Sequence, residues 1–151
     1  MSPSCPISTR RIDSNIVRII SFQVAFFTFI LLLTQETIFA AILLFDYCMR
    51  MLRQLNFSPF YFVGEFVLKG LGIAPKLCDE SPKRFALFLG LVISLFLVIL
   101  FAVGFTFFAM GVAITLFMCA LLETAFDFCI GCKIYYALQI IKGFLNYDRN
   151  I

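Results

Sequence analysis

Residues 85–122 run for 38 positions without a charged side chain. A helix crossing a bilayer core needs about 20 apolar residues, so this run is long enough for two. The bend between them is expected at residues 102–105, where Gly104 weakens helix continuity and a short turn can meet water at the bilayer surface. The first half repeats the pattern more loosely. Residues 19–33 are apolar, Thr34-Gln35-Glu36-Thr37 is polar, and residues 38–45 are apolar again before Asp46-Tyr47-Cys48-Met49-Arg50. Two further helices joined by a polar turn fit this best. The first is lengthened by Val17 and Arg18, whose long cationic side chain can reach back to the headgroups.

The segment between these halves carries its own punctuation. Ser58-Pro59 has the form of an N-cap followed by proline at the first helical position, and Gly70 and Gly72 can end the helix so begun. Its residues are mostly apolar, with Glu65 and Lys69 spaced to pair at i,i+4, which suits a short helix lying on the membrane surface. After Pro75-Lys76 the chain is polar, and Ser81-Pro82 opens the next apolar helix. The expected fold class is all-α: a polytopic membrane protein with four transmembrane helices in two hairpins plus one interfacial amphipathic helix. The expected boundaries are a flexible cytoplasmic tail over residues 1–15 and a four-helix transmembrane domain over 16–145. Its helices are placed at about 17–34, 37–54, 82–102 and 105–128, the last continuing into the cysteine segment, with the interfacial helix at about 58–71.

Composition agrees with that class. With 62% hydrophobic residues, 21 phenylalanines, 14% charged residues and a mean hydropathy of +1.02, the chain holds more apolar surface than a soluble core of 151 residues can bury. Cation placement sets the expected orientation, because loops rich in lysine and arginine stay cytoplasmic. Three cations precede the first helix, six lie between the second and third, and three follow the fourth, while the two outer turns carry none. Both termini are therefore expected in the cytoplasm, in a multi-pass membrane protein. The net charge of +3 then needs no nucleic-acid partner. A cleaved signal peptide over residues 1–33 is disfavoured, since the small pair Ala40-Ala41 has bulky Ile38 and Phe39 two positions upstream.

Candidate chemistry lies where the long apolar run meets its first charges, in Phe126-Asp127-Phe128-Cys129-Ile130-Gly131-Cys132-Lys133. On a continuous helix Cys129 and Cys132 stand about 5 Å apart on neighbouring turns, within the range a disulfide accepts. Lys133 shares the face of Cys129 and can favour its thiolate. Asp127 and Glu123 point about 200° and 240° away from Cys129 on that helix, so a carboxylate base would need a break at Gly131 or a partner helix. The same cysteines can serve simply as small packing residues, with Gly131 letting a neighbouring helix approach. Facing a reducing cytoplasm, the pair should rest as thiols. Cys48 and Cys119 read as packing residues, and Cys5 and Cys78 as incidental thiols. Zinc is a weak alternative, because the pair supplies two ligands, the chain has no histidine, and Cys78 or Cys5 would have to complete the set. No metal and no cofactor is expected.

Charges inside the apolar segments form a second constellation. Asp46 and Arg50 can pair at i,i+4, and helix rise puts Arg53 at about 23 Å and Glu123 at about 26 Å from the outer surface, so Arg53 or Arg50 can meet Glu123 between helices. With Asp127 these residues outline a polar cavity open to the cytoplasm beside the cysteines; alternatively, they only fix helix register. Absence of histidine excludes Ser-His-Asp and Cys-His catalysis, and Gly70-Leu71-Gly72 lacks the remaining positions of a phosphate-binding loop.

Arg50, Ser58-Pro59, Pro75-Lys76, Pro82-Lys83-Arg84-Phe85-Ala86, Leu122-Glu123 and Phe128-Cys129-x-Gly131-Cys132-Lys133 follow one another in an order and spacing that resembles a family of small bacterial integral membrane proteins, domain of unknown function 4395. The resemblance covers roughly residues 13–140. It implies an association with thioredoxin-like or sulfur-transfer proteins, and so favours thiol redox or sulfur-relay chemistry at Cys129, Cys132 and Lys133 with a cytoplasmic thioredoxin-like or sulfurtransferase partner. Two readings compete with this one. One is a transporter, or its accessory subunit, for a small anion such as a sulfur compound; the other is a non-catalytic membrane scaffold. A homodimer is compatible with so thin a bundle. No enzyme class is assigned by the sequence.

Overall fold

The computed structural model describes residues 11–149, and is all-α apart from one short ladder. The order is β1 (Arg11–Asp13), α1 (Ser14–Thr34), α2 (Thr37–Met51), a 3-10 turn (Leu55–Phe57), α3 (Pro59–Leu71), β2 (Leu77–Asp79), α4 (Glu80–Val103), α5 (Thr106–Phe126) and α6 (Ile130–Arg149). Residues 1–10 of the expected tail lie outside the described residues. The rest of that tail is structured: Arg11, Ile12 and Asp13 pair antiparallel with Asp79, Cys78 and Leu77. Asp13 then caps α1, its carboxylate accepting from the N–H of Asn15 at 2.9 Å.

Among the described residues three helices, α1, α4 and α5, are long and apolar enough to cross a membrane. The second expected span is shorter than its sequence suggested. α2 has 15 residues, so it is about 22 Å long, and it stops at Met51, where Arg53 takes a left-handed conformation (φ 61°). α1 and α2 are joined across Gln35 and Glu36, and α4 and α5 across Gly104 and Phe105. Gly104 has φ 88°, a conformation that side chains resist.

α1 packs chiefly on α5, and α2 on α4. The buried seams hold Ala25, Ala40, Ala109, Ala113, Thr28 and Ser94, whereas Phe22, Phe26, Phe29, Phe96, Phe107 and Phe108 point outward. Small residues set among Leu31, Leu43 and Leu97 inside, with many large apolar side chains outside, is the arrangement expected where the surroundings are as apolar as the side chains and close backbone approach holds helices together. The two seam hydroxyls are satisfied within their own helices, Thr28 donating to Val24 O at 2.7 Å and Ser94 to Leu91 O at 2.9 Å.

Long-range bonds gather one set of helix ends. Ser14, at the start of α1, donates to Asp127 after α5; Lys83, in the first turn of α4, donates to Ser14; and Arg53, just past α2, pairs with Glu80 at the start of α4. The start of α1, the end of α2, the start of α4 and the end of α5 therefore share one end of the bundle. α3 is tied to α2 by a buried knot in which Asp46 accepts from Ser58 Oγ at 2.6 Å and Phe60 N–H at 3.3 Å, and pairs with Arg50 at 2.7 Å.

Candidate functional site

The expected continuous helix through the cysteines is broken, and the break is at Asp127 rather than Gly131. α5 ends at Phe126, and Asp127 adopts the left-handed conformation (φ 53°) with its N–H bonded to Glu123 O at 3.0 Å. Aspartate tolerates this conformation better than most residues. Tertiary bonds hold it there: Ser14 Oγ donates to both carboxylate oxygens at 3.2 and 3.4 Å, and Lys76 Nζ lies 3.6 Å away. Arg18 closes the end of α5 by donating to Thr124 O at 3.0 and 3.3 Å, placing a cation at a helix C-terminus.

The chain restarts as α6 immediately after Cys129. The Cys129 carbonyl accepts from Lys133 N–H at 3.2 Å, and its Sγ accepts from Cys132 N–H at 3.4 Å. Cys129 thus occupies the N-cap of α6, where a side-chain acceptor satisfies an otherwise unpaired donor and negative charge is favoured. The Cys132 thiol also donates to the Cys129 sulfur, which holds the Cys129 thiol below the ordinary cysteine value although burial opposes it; Lys83 adds a further pull downward. Cys132 is pushed strongly upward by the same bond and by its own burial. One sulfur is disposed toward thiolate and the other toward thiol, an asymmetry that a mid-helix i,i+3 pair would not have. Both are free thiols.

α6 is seated against α4 at Gly131. A Cβ there would stand 2.6 Å from the Ala86 Cβ and 2.8 Å from its Cα, so only glycine permits this approach. Phe85 and Tyr135 stack beside the crossing with ring centroids 5.7 Å apart.

A cavity of about 650 Å³ opens between α1, α2, α4, α5 and the start of α6. Ser21, Tyr47, Arg50, Lys83, Glu123 and Cys129 line it. Glu123 accepts from Ser21 Oγ at 2.8 Å, and Arg50 stacks on the Tyr47 ring at 4.6 Å from its centroid while pairing with Asp46 behind it. Arg53 and Arg84 also line the cavity and share Glu80, at 3.3 and 4.0 Å. The arrangement brings a thiol disposed to ionise, several cations and the carboxylates of Asp13, Glu80 and Glu123 around a common volume.

Of the residues singled out by sequence, Cys129, Arg50, Arg53 and Glu123 meet at this cavity. The others differ. Neither expected ion pair to Glu123 forms, because Arg50 is taken by Asp46 and Arg53 by Glu80. Asp46 and Asp127 serve helix junctions and are not among the lining residues. Lys133, expected beside the thiolate, turns onto the Phe128 ring at 5.6 Å. The cation whose charge favours the Cys129 thiolate is Lys83, on the wall of the same cavity, which the spacing argument overlooked although it stands within the Pro-Lys-Arg-Phe-Ala block. Cys78 is in β2, its Sγ donating to Ile12 O at 3.3 Å, and Cys119 lines the cavity rather than only packing. Cys5 lies outside the described residues. Among the described residues no group of three or more cysteines and carboxylates is arranged to hold a metal ion.

No curated protein and no solved structure matches the chain. A family model does match, over residues 12–139, a span that contains Lys83, Glu123, Cys129 and Cys132, and by that match the chain belongs to the family described as Domain of unknown function (DUF4395).

Proposed function

We propose that this chain is a four-pass protein of the bacterial inner membrane, with both ends in the cytoplasm, that carries out thiol–disulfide exchange through Cys129 and Cys132. Four passes are supported by the gathering of helix ends described above: α1 leaves the end of the bundle to which α2 returns, and α4 leaves the end to which α5 returns. Although α2 is short, the buried Asp46–Arg50 pair lies in its last turns and Arg53, just beyond it, is exposed at this same polar end, where water and headgroups can reach. Arg11, Arg18, Arg53, Lys76 and Lys83 cluster there too, while the turns at Gln35–Glu36 and Gly104–Phe105 carry no cation, which favours a cytoplasmic placement.

The observation that carries the chemistry is Cys129 as the N-cap of α6, its Sγ accepting the Cys132 N–H at the wall of a cavity. A thiolate so held is a nucleophile. The Cys129 thiolate attacks one sulfur of a disulfide substrate; a mixed disulfide forms, and the departing sulfur leaves as a thiolate that takes up a proton. Cys132 loses its proton and attacks the Cys129 sulfur, expelling the second substrate thiolate. Two electrons have passed to the substrate, and Cys129–Cys132 is a disulfide. The dithiol of a cytoplasmic thioredoxin-like protein restores it by the reverse pair of exchanges. The test is capture in membranes. A Cys132→Ser chain should accumulate its disulfide substrate as a dithiothreitol-sensitive adduct at Cys129, because the resolving thiol is gone, and Cys129→Ser should accumulate none. Unchanged cellular function in the double serine variant would overturn the proposal.

A second reading, a carrier or carrier subunit for a small anion, draws on the cations lining the cavity. It separates from the first by vesicle uptake, which it requires Arg50→Ala to abolish and the cysteine variants to spare.

A further inference from the structure

The cavity beside Cys129 has an unbalanced lining. Arg11, Arg50, Arg53, Lys83 and Arg84 face it against three carboxylates, Asp13, Glu80 and Glu123. The carboxylates are already engaged. Asp13 accepts from Asn15 N–H and from Lys76 N–H at 3.1 Å, Glu80 is shared by two arginines, and Glu123 is bonded to Ser21. Lys83 Nζ donates to Ser14 Oγ at 3.3 Å and, among the described residues, is within 4.0 Å of no carboxylate. Asp46 offsets Arg50 only from behind the wall. Arg50 is largely buried and answered by Asp46, while Arg11, Arg53 and Arg84 reach solvent; five cations around three carboxylates still leave the lining net positive, which favours an anion in the space they surround.

Size narrows the ligand. A volume of about 650 Å³ is far more than an inorganic anion fills, and falls within the range that encloses an organic molecule of a few hundred daltons. The wall is mixed: Ile16, Val24 and Leu87 alternate with Ser21, Tyr47 and Tyr61, which suits a flexible molecule with methylene and polar parts. Chemistry narrows it again. Cys129 and Gly131 lie on the wall, and Cys132 is not among the lining residues, so the sulfur disposed to attack faces the cavity and the one that resolves the adduct stands behind it.

We infer that the cavity is a binding site for a small carboxylate-bearing disulfide of peptide size, held by Lys83 and Arg50 with one of its sulfurs against Cys129. This rests on the thiol-exchange reading and supplies its substrate class. The Cys129 thiolate attacks the near sulfur, the disulfide bond breaks, and one half departs as a thiolate while the other remains bonded to Cys129. Cys132 then displaces that half as a second thiolate and closes the Cys129–Cys132 disulfide, so the substrate gains the two electrons that the pair loses.

The experiment uses the full chain in nanodiscs carrying Cys132→Ser, so that the first adduct accumulates, with peptide mass spectrometry reading Cys129 alone. Oxidised glutathione, which is anionic, is compared with cystamine, a cationic disulfide. Electrostatic focusing by the lining should make the glutathione adduct form faster by about tenfold or more. Lys83→Gln should collapse that ratio, and Lys83→Arg should retain it, which separates loss of charge from loss of folding. Equal rates with both disulfides, or a ratio unmoved by Lys83→Gln, overturn the anionic substrate while leaving Cys129 as a reactive thiol. Loss of the preference on adding short-chain phosphatidylglycerol assigns the cations to lipid phosphate and also overturns it. Absence of any adduct at Cys129 overturns the thiol-exchange reading itself.

Discussion

The backbone N–H of Cys132 points at the Cys129 sulfur across 3.4 Å, and the Cys132 thiol donates to the same atom. Two donors on one sulfur stabilise its negative form. Because the Cys129 thiol is thereby held below the ordinary cysteine value, its deprotonated and reactive form should persist to lower pH. Iodoacetamide labelling of Cys129 followed against pH should show a midpoint below that of an unperturbed cysteine. Cys132→Ala removes the thiol donor but keeps the backbone N–H, so the midpoint should move upward and labelling at pH 7 should slow several-fold. An unshifted profile in that variant would show that the side-chain bond does not govern the reactivity of Cys129.

Gly131 determines whether this N-cap is where the cavity needs it. A Cβ at that position meets Ala86 at 2.6 and 2.8 Å, distances that cannot be accommodated without moving α6 from α4. Gly131→Ala should therefore destabilise the α4–α6 contact by about 1–3 kcal/mol, the usual cost of overpacking. It should lower the apparent melting temperature in detergent while leaving the Cys129 labelling rate nearly unchanged, because the N-cap bond is local to α6. Ala86→Gly in the same chain should return only part of the stability, since the Ala86 Cα still stands 2.8 Å from the added Cβ. A Gly131→Ala chain as stable as the parent would mean that the two helices do not meet there.

The long apolar runs made the helical class legible, and local chemistry placed the start of α3: Ser58 Oγ accepts from Tyr61 N–H at 3.3 Å with Pro59 at the first helical position. What the sequence concealed was the break between α5 and α6. Nothing local requires Asp127 to leave the helix. Its left-handed conformation costs on the order of 1–2 kcal/mol and is held by Ser14, 113 residues earlier, and by Lys76. For the same reason periodicity assigned Lys133 to the sulfur and overlooked Lys83. Angles counted along one helix lose their meaning once the helix restarts at Cys129. Asp46 was visible as a member of an i,i+4 pair, but its bonds to Ser58 and Phe60 join separate elements and leave no trace in local spacing.

Asp46 is fully buried, and its carboxylate is the common acceptor for Arg50, Ser58 and the Phe60 N–H. Asp46→Ala leaves the largely buried Arg50 without its counter-ion and frees the start of α3. The expected loss is about 3–5 kcal/mol, the range found when one partner of a buried ion pair is removed. Measured by thermal unfolding in detergent, Asp46→Ala should be much worse than Lys69→Ala, which breaks only the exposed Glu65–Lys69 pair. Asp46→Leu combined with Arg50→Met should recover part of the loss by removing both charges. A double variant as unstable as Asp46→Ala would place the cost in the lost anchoring of α3 rather than in the stranded cation.

Sidedness is the remaining claim open to direct measurement. If the cation-rich end of the bundle faces the cytoplasm, Cys78 in β2 and Cys129 and Cys132 at the start of α6 all lie on that side. A membrane-impermeant maleimide added to intact spheroplasts should then leave these three unmodified, and should label them after the membrane is opened. A cysteine introduced as Gln35→Cys, in the turn between α1 and α2, should behave oppositely and react from outside. Four passes demand both results. If α2 did not cross, Gln35→Cys, Cys78 and Cys129 would all share one face, opposite Ser14, and the bonds from Ser14 to Asp127 and from Lys83 to Ser14 could not form across the bilayer. Labelling of Cys132 from outside intact cells would invert the orientation and remove the pair from cytoplasmic reductants.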